Sequence, residues 1–278
     1  MLTYDDLPSE LNLASWFLDR NVEEGRGDDL ALIVGDDETW TYARLAALTN
    51  RIGNVLRDAG VRPEERVLIA LSDGAEFVAS WYAVLKLGAV VAEVYTFLAP
   101  KDYAYVLDYT RARVVLVDAT TEGPMREAAR AARHLEHVLV VDSEDFGARV
   151  AEAPAELDPA PTTRDDLAIW KFTTGSTGRP KAAVHLVHDP VVSYECYARG
   201  VLDMRAGDRV LPVPKLFFGY GRDVTTLFAF GVGATGIVFP ERSTPERLFE
   251  LIARHRPTIL VQVPAMMRAM LGHPDAAA

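Results

Sequence analysis

The run Phe172-Thr-Thr-Gly-Ser-Thr-Gly-Arg-Pro-Lys181 gathers the residues of this sequence best suited to hold an anion. Gly175 and Gly178 permit left-handed turns and close backbone approach, so successive N–H groups can converge as a nest. Thr173, Thr174, Ser176 and Thr177 add hydroxyl donors. Lys181 supplies a compact positive charge whose exit angle Pro180 restricts. These are the parts needed to grip a triphosphate. The common nucleotide loop, G-x-x-x-x-G-K-[ST], sets its lysine beside the second glycine and opens a helix there. Here Arg179 and Pro180 intervene, and the residues from Ala182 to Val187 read as another strand, so the loop joins two strands. The same residues would also make a Gly/Ser/Thr hairpin with no ligand; the succession of specified positions favours the phosphate reading.

A second constellation is Pro212-Val-Pro-Lys-Leu-Phe-Phe-Gly-Tyr-Gly221, whose prolines, aromatic residues and glycines exclude an ordinary helix. Aromatic faces beside glycines can form a flat slot for a planar ligand, the glycine leaving the space that the ring fills. A buried aromatic turn is the plainer use of the same residues.

Elements able to position these segments are visible on either side. The runs Val67 to Leu71, Val114 to Val117, Val138 to Val141, Ile237 to Phe239 and Ile259 to Val261 are short and apolar, as suits strands covered on both faces. Helix-period segments alternate with them, the pattern of an α/β protein with mainly parallel sheets. Thr41 is placed to cap a helix with the stripe Tyr42, Leu45, Leu48, Ile52, Val55 and Leu56, and Thr244 with Pro245 opens another running to about His255. Proline-rich residues 151–163 have no apolar period and read as a linker. The expected organisation is two βα-layered subdomains, residues 1–160 and residues 161–278, the second opening with the phosphate loop.

The loop resembles the signature loop of the adenylate-forming superfamily: acyl- and aryl-CoA synthetases, peptide-synthetase adenylation domains and luciferases. The family pattern is Ser/Thr-Gly-Ser/Thr-Thr-Gly-x-Pro-Lys-Gly, and Ala182 stands where its last glycine would be. The run from Lys215 to Gly221 is similar to the acyl-pocket motif of the benzoate-CoA ligase branch. The resemblance implies the large amino-terminal domain of an acyl-CoA synthetase, in incomplete form. It also implies that Thr174, Gly175, Ser176, Thr177, Gly178 and Lys181, with Thr173 beside them, hold the β- and γ-phosphates of ATP, and that Gly219, Tyr220 and Phe228, with Phe218, border an aryl ring. Arg222-Asp223 departs from the apolar and small pair expected there. It could bind a polar ring substituent or close a salt bridge facing away from the slot.

The implied chemistry is attack of an aromatic carboxylate on the α-phosphorus of Mg-ATP, then displacement of AMP by coenzyme A. The resemblance runs through nearly the whole chain, and the family's sequence continues for about as long again, with segments for adenine, Mg²⁺ and ribose and a mobile carboxy-terminal domain. No catalytic residue is assigned within 1–278, and the isolated chain is expected to be incompetent for turnover. Two other readings are a non-catalytic binding module that retains the fold, and an adenylation domain serving a carrier protein.

Composition limits the alternatives. The 278 residues are 49% hydrophobic and 25% charged, as in a soluble globular protein. A net charge of −11 argues against a nucleic-acid surface. Cys196 is the only cysteine, which excludes an internal disulfide and fits a cytoplasmic setting. The amino terminus has no signal-peptide pattern, and the apolar region 67–100 is interrupted by Asp73, Glu76, Lys86 and Glu93, so no membrane span is expected. His185 and His188 read as structural or capping residues, and no metal site is assigned. Small molecules are the expected partners, with homo-oligomerisation through exposed apolar surface a further expectation.

Overall fold

The computed structural model describes residues 3–173 and 179–277. Its strands are β1 (Leu30–Val34), β2 (Glu38–Thr41), β3 (Arg66–Ala70), β4 (Val90–Glu93), β5 (Val114–Val117), β6 (His137–Val140), β7 (Leu167–Thr173), β8 (Lys181–Leu186), β9 (Arg209–Pro212), β10 (Thr235–Val238) and β11 (Ile259–Val261). They form one sheet in the order β11-β9-β10-β1-β2 and another in the order β6-β5-β3-β4-β7-β8. Among the described residues, neighbouring strands are parallel except in the pairs β1–β2 and β7–β8.

Alternation along the strands explains the layering. Val67 and Ile69 of β3 face a central core that also takes Ala31, Leu32, Val210 and Val238 from the other sheet. Their neighbours Leu68 and Ala70 face the opposite side, against Tyr103, Val106 and Met125 of outer helices. Each sheet is therefore covered on both faces, and fully apolar strands are the result. The helices Tyr42–Asp58 and Ala75–Lys86 pack against each other in the central layer. Thr41 and Thr244 each accept a backbone N–H three residues on, from Arg44 and Arg247, and so cap their helices.

Strand pairing crosses residue 160. β1 and β2 complete the sheet of β9 to β11, whereas β7 and β8 extend the sheet of β3 to β6. The stretch 153–163 is strapped down rather than left as a spacer. Asn50, Arg51 and Asn54 of one helix donate to backbone carbonyls between Val150 and Glu156. Further along, Asn12 donates to Ala160 and Thr162 donates to Leu11. Side-chain donors satisfy this backbone where neither a helix nor a sheet would.

The glycine-rich run also differs from its expected form. Residues up to Phe218 are not helical, but Gly219–Arg222 opens a helix that winds through a π-helical stretch, Asp223–Phe228, to Ala229–Val232. Propensity would not favour Gly-Tyr-Gly in a helix; packing decides it, because each glycine lies where a side chain would collide. A Cβ on Gly221 would stand 2.5 Å from the carbonyl oxygen of Pro214, and one on Gly219 would meet Lys171.

Candidate functional site

Strands β7 and β8 form an antiparallel hairpin whose last registered pair is Thr173 opposite Lys181. The strand β7 opens with the apolar residues Leu167, Ala168 and Ile169 and carries Lys171, Phe172 and Thr173 at its outer end. Both Thr173 and Lys181 are exposed at the open end. Thr174, Gly175, Ser176, Thr177 and Gly178 lie outside the described residues. The returning limb is anchored from the outer helix Pro100–Thr110, where the Tyr105 hydroxyl donates to the Pro180 carbonyl at 2.9 Å. The guanidinium of Arg179 lies 5.5 Å from the Tyr105 ring centroid.

The aromatic segment meets this hairpin through residues just past β4. The Tyr95 ring lies 5.0 Å from Phe218 and 5.2 Å from Phe217, and stacks at 5.4 Å on Phe97. Tyr95 also lines a small apolar pocket of about 30 Å³ with Phe172, Thr173 and Pro180. Sequence reasoning missed Tyr95 and Phe97. Two aromatics at strand spacing directly after an apolar strand were the available signal. Tyr220 is 51% exposed and Phe218 41%, whereas Phe228 is buried against Tyr194 and Tyr197. Phe218, Gly219 and Tyr220 thus lie together beside the hairpin, with Phe228 two turns deeper in the same helical segment.

The charges below them form a connected set. Arg222 is 1% exposed, pairs with Glu93 of β4 and with Asp223 at 2.6 Å, and lies 4.6 Å over the Trp81 ring. Of the two roles open to it in the sequence, it occupies the inward one. Its guanidinium is enclosed by two carboxylates and an indole. Asp223 turns the other way and meets Lys171 at 2.6 Å. Burial pushes the Asp223 carboxyl up, but Arg222 and Lys171 outweigh it and hold the group below the usual carboxylate range.

A cleft of about 590 Å³ opens at the carboxyl ends of β3, β4, β9 and β10, lined by Asp73, Phe97, Lys215, Phe217, Phe218 and Arg242 among others. Open α/β sheets commonly bind ligands at such strand ends. Asp73 accepts the Leu216 N–H at 2.9 Å and stands 3.8 Å from Lys215 Nζ. Burial raises the Asp73 carboxyl to about 6, opposed by Lys215, and burial lowers Lys215 to about 8, opposed by Asp73. Lys215 also donates to the Phe239 carbonyl at 2.6 Å.

His185 and His188 each stand 3.2 Å from a carboxylate oxygen of Asp189. His185 pairs with Asp189 at 3.2 Å, and His188 bonds the Arg164 carbonyl at 2.8 Å at the start of the helix His188–Ser193. No group of three or more His, Cys, Asp or Glu among the described residues could hold a metal ion. No helix among the described residues is long and apolar enough to cross a membrane.

Residues 18–278 match the family model of AMP-binding enzymes. The benzoate–CoA ligase of Thauera aromatica is 35% identical over 273 residues, covering 97% of this chain and 52% of that protein. A 4-hydroxybenzoate–CoA/benzoate–CoA ligase of Rhodopseudomonas palustris is 33% identical over 95% of this chain and 50% of its own length. Among solved structures, an anthranilate CoA ligase in complex with anthranoyl-AMP superposes with a TM-score of 0.93 at 29% identity, covering 99% of this chain and 53% of that one. A benzoate CoA ligase from Burkholderia xenovorans LB400 gives 0.88 at 30% identity, covering 96% and 53%. The chain thus spans about half the length of the curated relatives it matches. The match over residues 18–278, on a fold shared with these ligases, makes the chain a member of the AMP-binding enzyme family.

Proposed function

We propose that this chain forms the part of an ATP-dependent, AMP-forming aryl-CoA ligase that grips the triphosphate and shapes the slot for an aromatic acid. The observation that carries the reading is the meeting of two segments distant in sequence. β7, which leads into the phosphate loop, contacts the start of the helix that bears Tyr220, through Lys171, Gly219 and Asp223. A carboxylate seated beside Tyr220 would then lie near the nucleotide held by Thr173, Lys181 and the loop between them. The names of the relatives support benzoate-like acids and coenzyme A as co-substrates.

In this reading the hairpin's hydroxyls, N–H groups and Lys181 ammonium stabilise charge on the departing pyrophosphate, an electrostatic contribution. Tyr220 and the Phe218 side of the slot orient the acid's ring, and closing that slot excludes water from the acyl-adenylate. Mg²⁺ is proposed to travel with ATP, since phosphates and waters supply most of its ligands. The described residues offer it no cage.

Calorimetric titration of the chain with ATP, and with a non-hydrolysable benzoyl-adenylate analogue, tests the proposal. ATP should bind, and Lys181→Ala should weaken it by about 10- to 100-fold, the loss of a charged hydrogen bond to phosphate. Tyr220→Ala should weaken the analogue more than it weakens ATP. Failure to bind ATP, or indifference of ATP binding to Lys181→Ala, would overturn the assignment.

A further inference from the structure

The space left free by Gly219 is not open for a ring to enter. Lys171 of β7 occupies it: a Cβ built on Gly219 would fall on the Lys171 side chain at Cε and Nζ. Lys171 stands directly across from Glu93 in the β4–β7 register, on the sheet face over which the helix from Gly219 lies. Glu93 pairs with Arg222 through one carboxylate oxygen, its other oxygen being buried without a hydrogen-bond partner, and Lys171 pairs instead with Asp223 at 2.6 Å. The two pairs differ in one respect. Arg222 and Glu93 are each 1% exposed, whereas Lys171 and Asp223 retain 24% and 23% of their side-chain surface. An ammonium and a carboxylate are therefore presented together, partly solvated, beside the glycine that precedes Tyr220.

We infer that Lys171, with Asp223, determines which acid is preferred: an aromatic carboxylate that carries a ring hydroxyl. The inference rests on the aryl-acid reading above and adds the substituent and the residue that selects it. A phenolic hydroxyl is both donor and acceptor. It can accept from the Lys171 ammonium and donate to the Asp223 carboxylate, replacing the water that now reaches them. An unsubstituted ring seated against Gly219 would strip that water and return nothing, leaving two charges underbonded. Sites built around hydrogen-bonding groups reject analogues that lack the matching group for this reason. Arg222 is excluded from the role by its enclosure.

The test compares binding of benzoate, 3-hydroxybenzoate and 4-hydroxybenzoate to the full chain in the presence of ATP. At least one hydroxybenzoate should bind about 10- to 100-fold more tightly than benzoate, the range for a hydrogen bond to a charged group. Lys171→Met should abolish that ratio, and Lys171→Arg, which keeps a cationic donor, should restore part of it. Thermal unfolding of each variant checks that it is folded; should Lys171→Met fail to fold, Lys171→Gln takes its place, and the ratio should fall with it. A ratio unchanged by the folded variant, or a wild-type preference for benzoate, overturns the inference while leaving the aryl-acid reading in place. Binding of ATP but of none of the three acids overturns both.

Discussion

Arg222 and Glu93 are each 1% exposed and bind one another in the layer between sheet and helix, the guanidinium resting 4.6 Å over the ring of Trp81. A charge so enclosed depends on its partners, because removing Glu93 leaves the desolvated Arg222 only Asp223, a carboxylate it shares with Lys171. Glu93→Ala should destabilise the chain by about 3 kcal/mol, the lower end of the range for breaking a buried pair. Glu93→Leu combined with Arg222→Met should recover most of that loss, since apolar packing replaces both charges. Urea unfolding measures this; a double variant no more stable than Glu93→Ala would refute the account.

Asp73 gives stability a pH dependence whose sign follows from burial. Its folded-state value is raised from 3.8 to about 6 by burial, against the pull of Lys215. Between those values the folded chain keeps a proton that the unfolded chain has released, so stability falls as pH rises and levels off above about 6. Lys215, lowered from 10.5 to about 8 by burial, sheds its proton first in the folded state, and stability contributed by this group recovers as pH rises above about 8. Asp73→Asn keeps an acceptor for the Leu216 N–H and should flatten the acid-side decline. Melting temperatures taken at intervals from pH 4 to 10 check it; coincident acid-side slopes for the two proteins would count against the assignment.

Gly221 is required by backbone, not by its own torsion. The carbonyl oxygen of Pro214 would lie 2.5 Å from an added Cβ, and neither main chain can step aside cheaply. Gly221→Ala should cost about 1–3 kcal/mol through overpacking, despite alanine's better helix propensity. It should also displace the neighbouring Tyr220, so binding of the benzoyl-adenylate analogue weakens more than ATP binding. A stability equal to the wild type would show that the helix can move.

Asn54, 1% exposed, donates to the carbonyls of Pro154 and Glu156 at 2.9 and 3.0 Å. Asn54→Ala strips two carbonyls of their donor and should cost about 1–3 kcal/mol. Limited proteolysis should then cut within 151–160 faster than in the wild type. Unaltered cleavage there would mean that Asn50 and Arg51 suffice to hold the strap.

Much of the architecture is legible in the sequence. Five apolar runs became strands β3, β5, β6, β10 and β11 within a residue or two, because burial on both faces leaves a short segment little choice of composition. The caps at Thr41 and Thr244 were legible because capping is local chemistry. The strap at 153–163 was not. Its compositional break signals only that no helix or strand forms, and the amides that hold it come from a helix some hundred residues earlier.

The candidate site divides along the same line. The types and spacing of Thr173 to Lys181, and of Phe218 to Tyr220, are properties of contiguous segments, so a run of glycines and hydroxyls closed by a lysine, and an aromatic run beside glycines, can be read from the primary structure alone. Which partners those segments meet was settled only in three dimensions. Parallel pairing places Glu93 beside Lys171 across β4 and β7, and the helix laid over that face supplies Arg222 to one and Asp223 to the other. Four charges spread over 130 positions acquire opposite roles, two enclosed and two facing water, because register and packing, unlike composition, decide how far each is desolvated.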